Sequence, residues 1–277
     1  MQYPAEALAD RQELNITLVD SETTGLNVAT DEVIGVGLLC LRVQARTGRV
    51  QGVVASSFQW REPGSMSPQA EAVVGITRAE LKGRRFDQRD IERVLSMTDL
   101  VVAHNAAFDR PFLERWFPAL VDLRWACSLT DIRWRSQEGL EQASLDFLLS
   151  RYGAAPSSGR PEADCHALAY VLAQPLPRSP CTGFRRLIEA ADAVSVECAL
   201  ADDYTCASPA AELLVDLGFY SRGKRLRADC PSFAAAERLE MAVIDLAVGN
   251  PAFASLKMWR VDARNRFTLR ARPIAAR

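Results

Sequence analysis

Along the chain, apolar β-branched runs give way to stripes of helical period. "NITLVD" has the pattern of a buried strand, and so does "EVIGVGLLCLRVQ". After a turn at Thr47-Gly48, "RVQGVVASSFQW" is a third, and the three predict an antiparallel meander. "REPGSMSP" is loop by its Pro, Gly and Ser content. "TRAELKG", closed by Gly83, and "RDIERVLSMT" read as helices. A strand at "DLVVAHN" is followed by a helix, "AAFDRPFLERWF", with Asn105 as its cap. "WACSL" is a fifth strand. "SLDFLLSRYG" is a helix ending at Gly153, and Pro161 to Gln174 is another, with proline at its start.

"PLPRSP" then places three prolines in six residues and reads as an extended linker. Beyond it, "SPAAELLVDLG" is a helix with Ser208 as cap, Pro209 in the first turn and Gly218 at its end. "FYSRGKRLRA" reads as a hairpin around Gly223, "SFAAAERLEMAVIDLAVG" as an amphipathic helix, and "LKMWRV" with "RFTLRA" as a final strand pair. The segments divide into an α/β domain at 1–174, a linker at 175–181 and a small α+β domain at 182–277.

Composition narrows this only a little. The 277 residues suit one large or two small domains, and 48% hydrophobic content is ordinary for a globular chain. The formal net charge is −2, but Tyr220 to Arg277 holds twelve Lys/Arg against five Asp/Glu. That asymmetry hints at a polyanionic partner as readily as at a mixed solvated surface. Tyr220, Trp259 and Phe267 lie there among Arg222, Lys224, Arg225, Arg260, Arg264 and Arg266. Aromatics interleaved with cations suit single-strand binding, although a small core would use the same aromatics. Seven cysteines, an odd number without a CxxC pair, read as reduced core residues. Two histidines without ligand spacing argue against structural zinc. The N-terminal "MQYPAEALADRQELN" has no apolar signal region, and the apolar run "VIGVGLLCL" is too short to span a bilayer. A cytoplasmic protein without a membrane partner is expected.

Four carboxylates change the picture. Asp20 and Glu22 are two apart at a strand end, so both project from one face and repel. Asp109 shares a helix face with Phe112, Leu113, Trp116 and Phe117. Asp164 does the same with Ala167, Leu168, Val171 and Leu172. A carboxylate at the head of an apolar stripe costs several kcal/mol unless it is paired or bound to metal. Four hard oxygen donors suit Mg²⁺ or Mn²⁺, and two such ions about 4 Å apart clamp a phosphodiester for hydrolysis.

These residues resemble the DEDD 3′–5′ exonucleases, the group of the epsilon subunit of DNA polymerase III and ribonuclease T. "VDSETTGL" is similar to the first motif of that family, "VVAHNAAFDRPFL" to the second and "EADCHALAYVL" to the third. "GIT" at Gly75 to Thr77 resembles a further shared segment. The resemblance covers about residues 14 to 173. It implies an RNase H-like fold: a five-stranded mixed sheet flanked by helices, here followed by the smaller α+β domain. It implies that Asp20, Glu22 and Asp164 bind a catalytic metal, and that Asp20 and Asp109 hold a second. It also implies substrate contacts from Thr24, Gly25, Leu26, His104, Asn105 and Phe108. The "WRVDARNRFTLR" segment is reminiscent, less specifically, of an accessory region of epsilon-related exonucleases.

The resemblance breaks at the general base. The family carries His five residues before the third-motif Asp, or Tyr four before it; here Gly159 and Arg160 stand there. Glycine has no side chain and arginine stays protonated. His166 is about 200° round the helix from Asp164 and faces away, and His104 lies outside the usual base position. Val74 also replaces a common histidine before "GIT". The expected function is a two-metal 3′–5′ exonuclease acting on the 3′ end of single-stranded DNA or short RNA, slowed by the missing base. The alternative is a catalytically impaired nuclease-fold module that grips nucleic-acid 3′ ends or a protein partner.

Overall fold

The "NITLVD" run lies inside β1 (Glu13–Thr23), the central strand in a computed structural model that describes residues 7–200, 209–222, 225–231 and 233–269. Antiparallel to it runs β2 (Val33–Gln44), and β3 (Val50–Trp60) pairs antiparallel with β2. On the other side of β1 lie β4 (Leu100–Ala103) and then β5 (Arg124–Cys127), both parallel. The order is therefore β3-β2-β1-β4-β5, a mixed five-stranded RNase H-like sheet. All four residues of β4 are buried, as expected for a parallel strand covered on both faces.

Helices lie between and after these strands. They are α1 (Pro68–Val74), α2 (Gln88–Leu95), α3 (Ala106–Trp116), the single turn α4 (Ser128–Asp131), α5 (Leu145–Arg151), α6 (Pro161–Ala173) and α7 (Gly183–Asp192). Two of them place the site. α3 buries Phe112 and Leu113 completely, each worth about 1.5–3 kcal/mol, enough to hold the helix while its first turn seats a carboxylate. α6 packs across β1 and β2 through Leu168, Val171 and Leu172. Its first turn comes so close to β2 that a Cβ on Gly37 would stand 2.5 Å from the Pro161 carbonyl oxygen. Only glycine fits that contact.

The second compact unit begins at Ala191, the first ending at Ala190. Its sheet has the order β7-β8-β6-β9, from β6 (Val194–Ala199), β7 (Tyr220–Arg222), β8 (Arg225–Cys230) and β9 (Lys257–Val261), all antiparallel. α8 (Pro209–Asp216) and α9 (Phe233–Ala247) supply Leu214, Ala236 and Val243 to a core of their own with Val196 and Leu226.

Several expectations need revision. The helix expected at "TRAELKG" is a series of turns closed by i→i+3 bonds, such as Leu81 N–H to Arg78 O at 3.1 Å. The Glu80 carboxylate accepts from both the N–H and the hydroxyl of Thr77, and left-handed Gly83 ends the turns six residues after Thr77. The helix of that region is α1, started by the Ser67 side chain accepting from Ala70 N–H at 3.1 Å and ended by left-handed Gly75. The stretch 175–181 folds back on itself through a bridge between Pro175 and Thr182, and the Glu138 carboxylate accepts from the N–H groups of Arg178 and Ser179. β6 and α7 were not among the expected elements, although Val194, Val196 and Cys198 alternate and Phe184, Leu187, Ile188 and Ala191 recur at helical spacing. β6, rather than "RFTLRA", is the partner of β9. After Val261, Asp262 Oδ1 accepts from Arg264 N–H at 2.7 Å and the chain turns, leaving no strand through Leu269. The Ser208 cap and the turn at Gly223 lie outside the described residues, as does Cys206; the six described cysteines are free thiols. Among the described residues, no helix is long and apolar enough to cross a membrane.

Candidate active site

Asp20 and Glu22 stand on one face of β1 near its C-terminal end, opposite Gly37 and Gly35 of β2. With glycine at both neighbours, the adjacent strand leaves room above the carboxylates. α6 uses that room to bring Asp164 in from its first turn. Carboxylate oxygens of Asp20, Glu22 and Asp164 all lie within 4.8 Å of one another. Cys165, the next residue on α6, is buried with its thiol 3.6 Å from the Leu18 carbonyl oxygen, which fixes the helix against β1.

Asp109 reaches the site from the first turn of α3 and is buried. Ser21, between the two β1 carboxylates, donates its hydroxyl to Asp109 Oδ1 at 2.7 Å. Ser157 plays a similar part for Asp164: its hydroxyl donates to Asp164 Oδ1, while its backbone N–H donates to Asp146 Oδ1 at 3.0 Å. Neither serine was singled out from the sequence. Ser21 could have been, since a hydroxyl inside a D-S-E run is placed to meet a carboxylate from the opposite side. Ser157 lies in a loop with no pattern to mark it.

The four carboxylates share one electrostatic condition: all are harder to ionise than usual. Burial raises Asp20 well above the ordinary carboxylate range, and Asp109, Asp164 and Glu22 add to it by repulsion. Burial and then repulsion from Asp164 and Asp109 carry Glu22 to about 7. Burial takes Asp109 to about 7 against the pull of its Ser21 hydrogen bond. Asp164 is raised by burial, opposed by Ser157. A hard divalent cation fits this set, because several oxygen donors converge and their mutual repulsion is what such a charge removes.

The other expected residues fall as follows. Thr24, Gly25 and Leu26 follow Glu22 directly, in a loop closed by Thr24 N–H to Glu32 O at 2.9 Å and Glu32 N–H to Thr24 Oγ1 at 3.0 Å. Leu26 is 84% exposed, an apolar side chain presented to solvent just past the carboxylates. Phe108 is half-buried and rests on Phe112, ring centroids 5.1 Å apart. Asn105 is exposed and its side chain makes no capping bond, a revision of the expected cap. At φ −132°, ψ 67° it departs from the extended geometry that aims a capping side chain at its own helix. Its carbonyl accepts from Phe108 N–H at 2.8 Å instead.

His104 is held at both ring nitrogens. Nε2 donates to Ala143 O at 2.8 Å, so Nδ1 accepts from the Ser128 hydroxyl at 2.6 Å. Burial lowers its pKa, and the ring is neutral with no free nitrogen. His166 is exposed on the far side of α6, its ring 5.8 Å from that of Phe58. At Gly159 the backbone is left-handed, φ +65°, and a Cβ there would meet nothing within 4 Å.

In the second unit, two of the arginines read as strand-binding candidates, Arg225 and Arg260, are engaged internally. Arg225 pairs with Glu197 at 2.9 Å and covers the Trp259 ring, and Arg260 pairs with Glu240 and covers Phe233.

Comparison with known proteins places the first unit. The family model described as Exonuclease, and named for RNase T, matches residues 17–172, more than half of the chain, and the chain belongs to that family. The PolC-type DNA polymerase III of Thermotoga maritima is 27% identical over 143 residues, which cover 50% of this chain and 10% of the polymerase. The chain thus spans about a tenth of the curated relatives it matches. Among solved structures, exonuclease X in complex with 5′-overhanging duplex DNA shares 23% identity with a TM-score of 0.42, covering 57% of this chain and 89% of that one. Product-bound exonuclease I shares 16% with a TM-score of 0.47, covering 67% and 51%.

Proposed function

We propose that this chain is a metal-dependent 3′–5′ exonuclease, hydrolysing phosphodiester bonds at the 3′ end of single-stranded DNA or short RNA. The observation that carries the reading is the convergence of Asp20, Glu22 and Asp164 within 4.8 Å, in a chain of the exonuclease family. Asp20, Glu22 and Asp164 would hold one Mg²⁺ or Mn²⁺, and Asp20 with Asp109 a second. When bound, such ions polarise the phosphodiester and lower the pKa of the attacking water.

The chain's own part is placement. Ser21 fixes the orientation of Asp109, and Ser157 that of Asp164. Thr24 and Gly25 would lie along the terminal nucleotide, Leu26 would offer its apolar surface to the base, and Phe108, Asn105 and His104 would bound the other side. No side chain at 159 or 160 can take the proton from water. A positioned base is worth about 10²–10⁴-fold, so slow turnover is expected rather than none.

A second reading, a nuclease fold that binds 3′ ends or a protein without cutting, is favoured by one observation. Position 159, where the resemblance puts the general base, carries no side chain, and His104 has both nitrogens committed. A 5′-labelled single-stranded oligonucleotide with Mn²⁺ separates the two. A ladder shortening from the 3′ end, lost in Asp20→Ala, supports hydrolysis. An intact strand at high enzyme and long times would reject it and leave the binding reading.

A further inference from the structure

Beyond the end of β3 the first unit has a cleft of about 520 Å³. Four arginines line it, Arg61, Arg78, Arg84 and Arg85, with Phe86 and Trp116 between them. Two of the four are neutralised: Arg61 by Glu32 at 2.8 Å and Arg78 by Glu62 at 3.4 Å. Arg84 and Arg85 are exposed and make no ion pair or side-chain hydrogen bond among the described residues. Glu80, close enough to feel Arg84 and Arg160, offsets part of that charge while its carboxylate accepts from Thr77. Arg61 lies over the Trp116 ring, 4.3 Å from its centroid, and Phe86 meets the same ring edge-on. Positive charge beside aromatic faces, in a concavity large enough for a nucleotide, matches what a single strand needs.

The cleft borders the carboxylate site. Glu22 pairs across to Gly35, Gly35 to Trp60, and Arg61 follows. Two strand spacings separate the site from the cleft's near edge, about 10 Å. One loop joins them: Glu32 holds Arg61 with its carboxylate and closes on Thr24 with its backbone. The carboxylates repel phosphate unless cations cover them, so the strand needs its anchoring charge elsewhere.

We propose that this cleft holds the phosphodiester backbone of the substrate strand a few nucleotides from its reacting end, with Arg84 and Arg85 supplying the uncompensated charge. This rests on the exonuclease reading for the identity of the strand, while the charge and shape of the cleft stand independently. A dinucleotide carries only the scissile phosphate, which the carboxylate site would hold, so it offers none to these arginines.

The test uses the whole chain and an oligothymidylate of about 12 nucleotides carrying a 5′ fluorophore. Binding is read by anisotropy in EDTA across a salt series, so that no cleavage intervenes. The Arg84→Ala/Arg85→Ala variant is expected to bind about tenfold more weakly at low salt. Its salt slope should fall by about 1.4, the loss of two single-strand phosphate contacts. Arg84→Lys/Arg85→Lys should restore the slope. Dinucleotide hydrolysis in Mn²⁺ should be unchanged within about twofold. An unaltered slope and affinity would overturn the proposal, as would wild-type protein that fails to bind the strand. Loss of dinucleotide hydrolysis in the variant would overturn it too, by placing the arginines in the reacting site. If wild-type protein shortens neither the strand of about 12 nucleotides nor the dinucleotide in Mn²⁺, the exonuclease reading fails, while the salt slope still reports on the cleft.

Discussion

At the scale of single residues, Gly159 decides the most. The position is left-handed and open, so a side chain there meets strain but no clash. A histidine would cost about 1–3 kcal/mol of backbone energy in that conformation. If Gly159 stands at the general-base position, as proposed, and proton removal limits turnover, Gly159→His should raise the hydrolysis rate by roughly 10²-fold despite a lower melting temperature. A variant that folds and cuts no faster would mean that proton removal is not the limiting step. The same scale shows what spacing can and cannot reveal. The inward face of Asp109 and of Asp164 was legible from i+3, i+4 and i+7 apolar neighbours. The serines that hold their carboxylates are not marked by period: Ser21 is signalled only by its place between Asp20 and Glu22, and Ser157 sits in a loop without a pattern.

At the scale of elements, the site depends on how closely α6 meets β2. Gly37 permits that approach, and the first turn of α6 carries Asp164. Gly37→Ala should push Pro161 and its helix off the sheet, at about 1–3 kcal/mol as an overpacking change. The expected signature is a loss of Mn²⁺-dependent hydrolysis larger than a stability change of that size would produce, checked by a melt and a rate on the same sample. Hydrolysis at the wild-type rate would show that the helix can slide without moving its carboxylate. The elements themselves were largely legible: the meander, β4, α3, α5 and α6 follow their hydrophobic periods. α1 was missed because Ser67 and Pro68, its start signals, sit within a run of loop-forming residues. The "TRAELKG" segment has a helical composition, but its turns close i→i+3 and stop at left-handed Gly83.

At the scale of the whole molecule, the four carboxylates load the fold with buried negative charge. Their folded pKa values are raised, to about 7 for Glu22 and Asp109, above the usual carboxylate values of the unfolded chain. Between those limits the folded state holds more protons than the unfolded one. The stability these four groups contribute is therefore full below their unfolded values and is lost as pH rises through the folded ones, from about pH 4 to about pH 7. The melting temperature of EDTA-treated protein should fall across that window, and Asp20→Asn should flatten the fall. Mn²⁺ should raise the melting temperature more at the alkaline end, where the carboxylates are ionised. A melting temperature that rises with pH in EDTA would contradict the electrostatics described here. The two units divide the labour: the family match lies wholly in the first, while the second closes a separate core.

By itself the sequence determined the meander, β4, α3, α5 and α6, since hydrophobic period depends only on local spacing. It also determined that four carboxylates needed a counter-charge, because each stands where its own helix or strand cannot satisfy it. Only the tertiary structure decided which of their oxygens converge and which hydroxyls hold them. It alone showed that both nitrogens of His104 are committed, and that arginines from β3's end and the 78–85 turns line one cleft with Trp116. Those relations join residues far apart in the chain, and their distances are set by packing between elements, which no local pattern encodes.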